Sequence, residues 1–197
     1  MSNVSLIMTR TPLSEFKYGK MSGRWGSMLV VSGAKISSVA VSQNGGSGGG
    51  YEVGGKSLDI QIADGGAVET VAEFDTMERF RADTGRGFYM QVRPRPAQPY
   101  MLTMYRAPLV AKLNSSGNCL LVHGHGYKQQ GSGDDAGILV HEAPNVSWLI
   151  GCISPREKNH HEQNSTPGPS RSAMEAIFDA MGGFSPGRKA DLFVLDW

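Results

Sequence analysis

His141 and Cys152 stand eleven positions apart, at the ends of Gly137-Ile-Leu-Val-His141 and Gly151-Cys-Ile153. Imidazole can take the proton of a thiol, and the thiolate formed attacks acyl carbon well near neutral pH, so the two make a candidate cysteine active site. A thiolate–imidazolium pair would hold the Cys152 pKa below its ordinary value, because opposite charges stabilise one another. Gly151 allows a tight backbone turn before the nucleophile, and the Cys152 amide could donate to an oxyanion. His141 needs a third group to orient it: the side chain of Glu142 or Asn145, or a backbone carbonyl from residues 119–126. Strand alternation turns Glu142 to the opposite face, which favours Asn145 or a carbonyl.

The surrounding residues supply candidates for substrate contacts: His123, His125, Trp148 and Arg156. Trp148 suits a substrate-stacking ring and a packing anchor equally. His123 and His125 fall on one face of a strand, as two metal ligands would, so a metal-dependent hydrolase using His123, His125 and His141 is an alternative. No carboxylate is spaced to complete that set, so no metal and no cofactor is assigned. Cys119 reads as a small buried hydrophobe. Two cysteines on separate apolar segments suit free thiols better than a staple, and a Cys119–Cys152 bridge would block the nucleophile. His160 and His161 belong to a polar, proline-terminated stretch that reads as a surface loop close to Cys152.

These residues need elements to position them. Residues 4–10, 27–33 and 36–42 are short, rich in branched side chains and bounded by Gly, Pro or Ser, which predicts an antiparallel meander. Residues 57–62 continue the strand pattern. Residues 74–81 predict a short helix, broken by Thr84-Gly-Arg-Gly87. Strands resume at 88–92 and 100–105, with prolines at 94, 96 and 108 marking strand ends. Arg93 and Arg95 there suit a solvated strand end better than an acidic-group site. Residues 119–126 and 137–141 are apolar strands that each deliver histidine at the C-terminal end. Between them residues 127–136 form an exposed loop, and the glycine-rich residues 44–50 form another, without the Lys-Ser/Thr ending of a phosphate loop. Met174, Ile177, Phe178 and Met181 recur at helical spacing, with Ser172 and Glu175 as a capping box and Gly182-Gly183 as a left-handed stop. Residues 192–195 close the chain as a strand. The order describes a mainly β (α+β) fold with one C-terminal helix and no βαβ rhythm.

With 197 residues and 40% hydrophobic composition, one domain over 1–197 is expected, its catalytic centre within 119–156. Nineteen basic and eighteen acidic side chains nearly cancel, so the basic footprint of a nucleic-acid binder is missing. No apolar run reaches the roughly 20 residues of a membrane span, and the N-terminus lacks a basic segment leading into a long apolar one. The expectation is cytoplasmic synthesis without a signal peptide.

Residues 137–141, Asn145, 151–153 and Ser170-Arg-Ser-Ala173, with a final apolar strand, resemble a family of small phage and bacterial proteins similar to the L,D-transpeptidase catalytic domain. Leu6, Arg10 and Tyr18-Gly19 fit the same pattern. The resemblance implies a transpeptidase-like β-sandwich or barrel and peptidoglycan chemistry. Cys152 would attack a stem-peptide carbonyl, form a thioester and pass the acyl group to an amine or water, with His141 as base. The chain departs from the transpeptidase pattern in a shorter spacing, in Ile150 where a second histidine precedes Gly-Cys, and in Ser154 where an arginine follows the cysteine, Arg156 standing two positions later. A wall-acting enzyme without a signal peptide needs another route, such as phage lysis or a contact-dependent secretion apparatus. The missing signal, and not the resemblance, leads to the expectation of a lysis factor or a secreted antibacterial toxin acting in the periplasm or wall after non-classical delivery, the toxin with an immunity protein as partner. A non-catalytic wall-binding or phage structural protein is the remaining alternative.

Overall fold

Successive side chains of a strand point to opposite faces, and Leu6, Ile7 and Met8 are all fully buried, so the first strand divides two cores. The computed structural model describes residues 3–42, 50–81, 92–127, 137–163 and 166–196. Its strands are β1 (Asn3–Tyr18), β2 (Met21–Gly33), β3 (Ile36–Val41), β4 (Tyr51–Val53), β5 (Lys56–Ile62), β6 (Val68–Arg81), β7 (Arg95–Arg106), β8 (Asn118–Val122), β9 (Leu139–Val140), β10 (Ile153–Arg156) and β11 (Lys189–Asp196). Eight of them close a barrel in the order β1-β11-β7-β8-β9-β10-β6-β2, and β3-β5-β4 form a separate sheet. Within the barrel β1 runs parallel to β11 and β9 parallel to β10; the other neighbours are antiparallel.

The first core lies inside the barrel, where Leu6, Met8, Met28, Leu102, Leu120 and Val140 meet the apolar stripe of α1 (Gly168–Ala180): Ala173, Met174, Ile177 and Phe178. The second lies outside, where Ile7, Leu29, Val31 and Phe193 are covered by Ile36, Val39, Val53 and Leu58 of the small sheet. A third cluster covers the outer face of β8, β9 and β10 and holds both cysteines with Met77, Leu139, Val146 and Leu149. The mainly-β class with one C-terminal helix and a closing strand is therefore as expected among the described residues.

Three expectations are corrected. Residues 74–81 are not helical but the second half of β6, paired with β2 and β10. Phe74 enters the barrel core and Met77 the outer cluster, so a strand buried on both faces shows apolar residues three apart and imitates a helix. The opening meander stops after the β1–β2 hairpin: Gly33 turns with φ +128, β6 takes the other edge of β2, and β3 pairs with β5 instead. The capping box at Ser172 is absent, because Pro169 near the helix start favours helical φ and α1 begins at Gly168, a turn earlier. Ser172 Oγ bonds back to the Gly168 carbonyl at 3.5 Å. The left-handed stop is present, Gly182 and Gly183 having φ +85 and +84. The expected loops at 44–49 and 128–136, the break at 84–87 and the strand residues 88–91 lie outside the described residues.

Candidate functional site

Val140 and Ile153 are parallel neighbours on β9 and β10, and both enter the barrel interior. His141 follows Val140 and Cys152 precedes Ile153, so alternation sends both to the outer face, on adjacent strands and offset along them. Gly151 has φ +78, the turn expected before Cys152. The thiol is 4% exposed; the Leu139 N–H donates to Sγ at 3.4 Å, and Sγ lies 3.8 Å from the Gly137 carbonyl and 3.9 Å from that of Ile150. It forms one wall of a cleft of about 340 Å³ lined by Leu109, Gly137, Ser147, Trp148 and Ile150. Trp148 is a packing anchor, half-buried against the outer cluster, and it also lines this cleft.

His141 is fully buried, and its Nδ1 lies 2.7 Å from the main-chain carbonyl of Glu142. A carbonyl only accepts, so the proton sits on Nδ1 and Nε2 carries the lone pair. Nε2 has no hydrogen-bond partner among the described residues. The orienting group is thus a carbonyl, but that of Glu142 rather than one from 119–126. Asn145 instead starts the short 3-10 turn at Val146–Trp148, its Oδ1 accepting from Ser147 N–H at 3.0 Å and from the Ser147 hydroxyl. The Glu142 carboxylate does point away, to Arg171 Nε at 3.0 Å and Asn114 Nδ2 at 2.9 Å.

No hydrogen bond joins His141 to Cys152, and the expected ion pair is not present. Burial pushes the Cys152 thiol up to about 11 and lowers His141 below its ordinary 6.5, so both groups are neutral near pH 7. Cys119 is a free, fully buried thiol pushed up to about 12 by burial, donating to the Tyr105 carbonyl at 3.3 Å, as a core residue would. Both cysteines are free, so no bridge blocks Cys152.

Other expected contacts lie apart from the cleft. Arg156 shares the outer face of β10 with Cys152 and Ser154, yet it is fully buried, with Nη1 on the Glu162 carbonyl at 3.0 Å and its guanidinium 5.7 Å from the Trp25 ring. His123 Nε2 pairs with Thr103 Oγ1 at 2.8 Å, and His125 Nδ1 accepts from Tyr127 N–H at 3.1 Å. Among the described residues no three His, Cys, Asp or Glu side chains form a metal-holding group, so the metal alternative gains no support. Arg95 is committed to the Gly124 carbonyl at 2.8 Å and the Tyr100 ring. His161 is exposed, stacked on Trp25 at 4.4 Å and bonded to Asp75 at 2.8 Å. Another cleft, about 650 Å³, lies between the start of β1 and the end of α1, where Arg188 closes the helix on the carbonyls of Met181, Gly182 and Gly183; neither Cys152 nor His141 lines it.

Sequence reasoning missed the residue that joins these parts. Ser170 Oγ, fully buried in the first turn of α1, donates to the Pro155 carbonyl at 2.7 Å, pairs with Ser154 Oγ at 2.7 Å and accepts from Ala143 N–H at 3.1 Å. One hydroxyl ties the helix to β10 and to the segment carrying His141. Its place in Ser170-Arg-Ser-Ala173 was the available signal. Comparison with family models, with curated protein sequences and with solved structures finds no match to this chain.

Proposed function

We propose that this protein is a cysteine acyl-transfer enzyme in which Cys152 is the nucleophile and His141 the general base. One observation carries the reading: a buried neutral imidazole, its Nδ1 fixed on the Glu142 carbonyl and its Nε2 without a partner, shares an outer face with a thiol that forms the wall of a cleft. Because both groups are held neutral, the thiol proton moves to Nε2 as Sγ attacks, and no stable ion pair precedes the attack. The two side chains must close on one another when substrate binds, and the substrate carbonyl meets the Cys152 amide at the Gly151 turn. The substrates we infer are peptidoglycan stem peptides, cut or exchanged through a thioester, on the resemblance of residues 137–141, Asn145 and 151–153 to a family of small phage and bacterial proteins similar to the L,D-transpeptidase catalytic domain. A wall substrate places the action in the periplasm or wall, consistent with a lysis factor or antibacterial toxin.

The test is incubation of the purified protein and its Cys152→Ala variant with peptidoglycan and isolated stem peptides, followed by mass spectrometry. Cleaved or exchanged stems from the wild type alone are expected. Identical, unchanged profiles would sink the catalytic reading and favour a non-catalytic wall-binding protein, which the raised pKa of the resting thiol would then suit.

A further inference from the structure

We propose that the Cys152 cleft selects acyl donors whose reacting residue carries an uncharged, apolar side chain; this inference rests on the cysteine acyl-transfer reading above. The described residues lining the cleft are Leu109, Gly137, Ser147, Trp148, Ile150 and Cys152, and none carries a charged side chain. Three large apolar side chains converge on the thiol from two separate connections, Leu109 from that between β7 and β8 and Trp148 with Ile150 from that between β9 and β10. Five large hydrophobics are exposed among the described residues, and two of them, Leu109 at 46% and Ile150 at 48%, flank this one cleft. Scattered exposed apolar residues need no explanation, but a pair beside a candidate nucleophile marks a surface that gains when an apolar group covers it. A lysine or glutamate side chain entering there loses hydration and, among the described lining residues, meets no side chain of opposite charge.

The cleft volume of about 340 Å³ leaves room for one amino-acid side chain beside the thiol. In the acylation step the Sγ–C bond forms, the C–N bond of the scissile amide breaks, and the thiol proton passes through His141 Nε2 to the leaving amine. The acyl residue stays on sulfur, with its side chain against Leu109, Trp148 and Ile150.

The test uses the full chain with N-acetyl aminoacyl thioesters of leucine, alanine, lysine and glutamate, with acylation of Cys152 followed by mass spectrometry and kcat/KM measured against a Cys152→Ala blank. Leucine is expected to exceed lysine and glutamate by at least about tenfold, and rates to fall about fourfold for each methylene removed from the apolar side chain. Ile150→Glu, its fold checked by circular dichroism, is expected to turn the preference towards lysine, a change of sign that partial unfolding does not produce. Equal rates for leucine and lysine, acylation by lysine or glutamate but not by leucine, or an unchanged preference in Ile150→Glu each overturn the proposal, whereas no acylation by any of the four overturns the acyl-enzyme reading. Turnover that survives in Cys152→Ala instead overturns the acyl-enzyme reading on which it rests.

Discussion

Cys152 and His141 are each held uncharged by burial, which pushes a thiol up and an imidazole down. The pH dependence follows from the signs. In the proposed mechanism the base is lost only when His141 takes a proton, and its folded pKa lies below 6.5, so the acid limb of activity should fall below pH 6.5. The thiol stays protonated until about pH 11, so the neutral pair persists from below pH 6.5 to beyond pH 9 and the profile of kcat/KM should be a broad plateau. An acid limb at or above pH 6.5, or iodoacetamide labelling of Cys152 with an apparent pKa below 8, would instead indicate a preformed thiolate–imidazolium pair. The same shift acts on stability. The unfolded imidazole binds its proton first, so the contribution of neutral His141 is present above about pH 6.5 and is lost as pH falls through the lower folded value. That His141 and Cys152 flank neighbouring residues of two paired strands was legible in the spacing of strand-end histidine and Gly-Cys. The orienting group was not, because a main-chain carbonyl belongs to every residue and leaves no mark in the sequence.

At the scale of elements, α1 reaches the site through Ser170. Its hydroxyl uses its one proton on Pro155 and accepts from Ala143 N–H, while also bonded to Ser154. Ser170→Ala leaves these groups buried without their partner, a loss of about 3 kcal/mol, since each unsatisfied buried group costs about 1–3 kcal/mol. Ser172→Ala on the same helix removes one 3.5 Å bond at an exposed position and should change stability by less than about 0.5 kcal/mol. Urea unfolding of both variants checks the contrast, and equal effects would refute the assigned role of Ser170. The helix itself was readable from Met174, Ile177, Phe178 and Met181, because one stripe faces one core. β6 was not, because Phe74 and Met77 serve different cores on its two faces and the period of two is lost. The start of α1 was misplaced because Ser172 and Glu175 have the right types for a cap, whereas Pro169 fixes the first turn by its ring.

For the whole molecule, the barrel carries different coverings on its outer faces. The small sheet covers β1, β2 and β11, while the connections that carry Cys152 cover β8, β9 and β10. β11 joins the barrel interior to the small sheet, since its Leu192 and Val194 fill the barrel and its Phe193 and Leu195 lie under that sheet. Phe193→Ala removes a fully buried ring from the outer core and should cost about 3–5 kcal/mol, the usual range for such a truncation. Phe193 belongs to neither the barrel core nor the cluster around Cys152, so its loss should not alter the reactivity of the thiol while the variant remains folded. The measurement is the rate of Cys152 alkylation well below the melting temperature, beside a urea unfolding curve. A destabilised variant with wild-type alkylation shows that the small sheet stabilises the fold without shaping the site. A faster alkylation in the folded variant would show that the two outer faces are coupled through the barrel, and the cleft would then depend on a covering that lies on another side of the molecule.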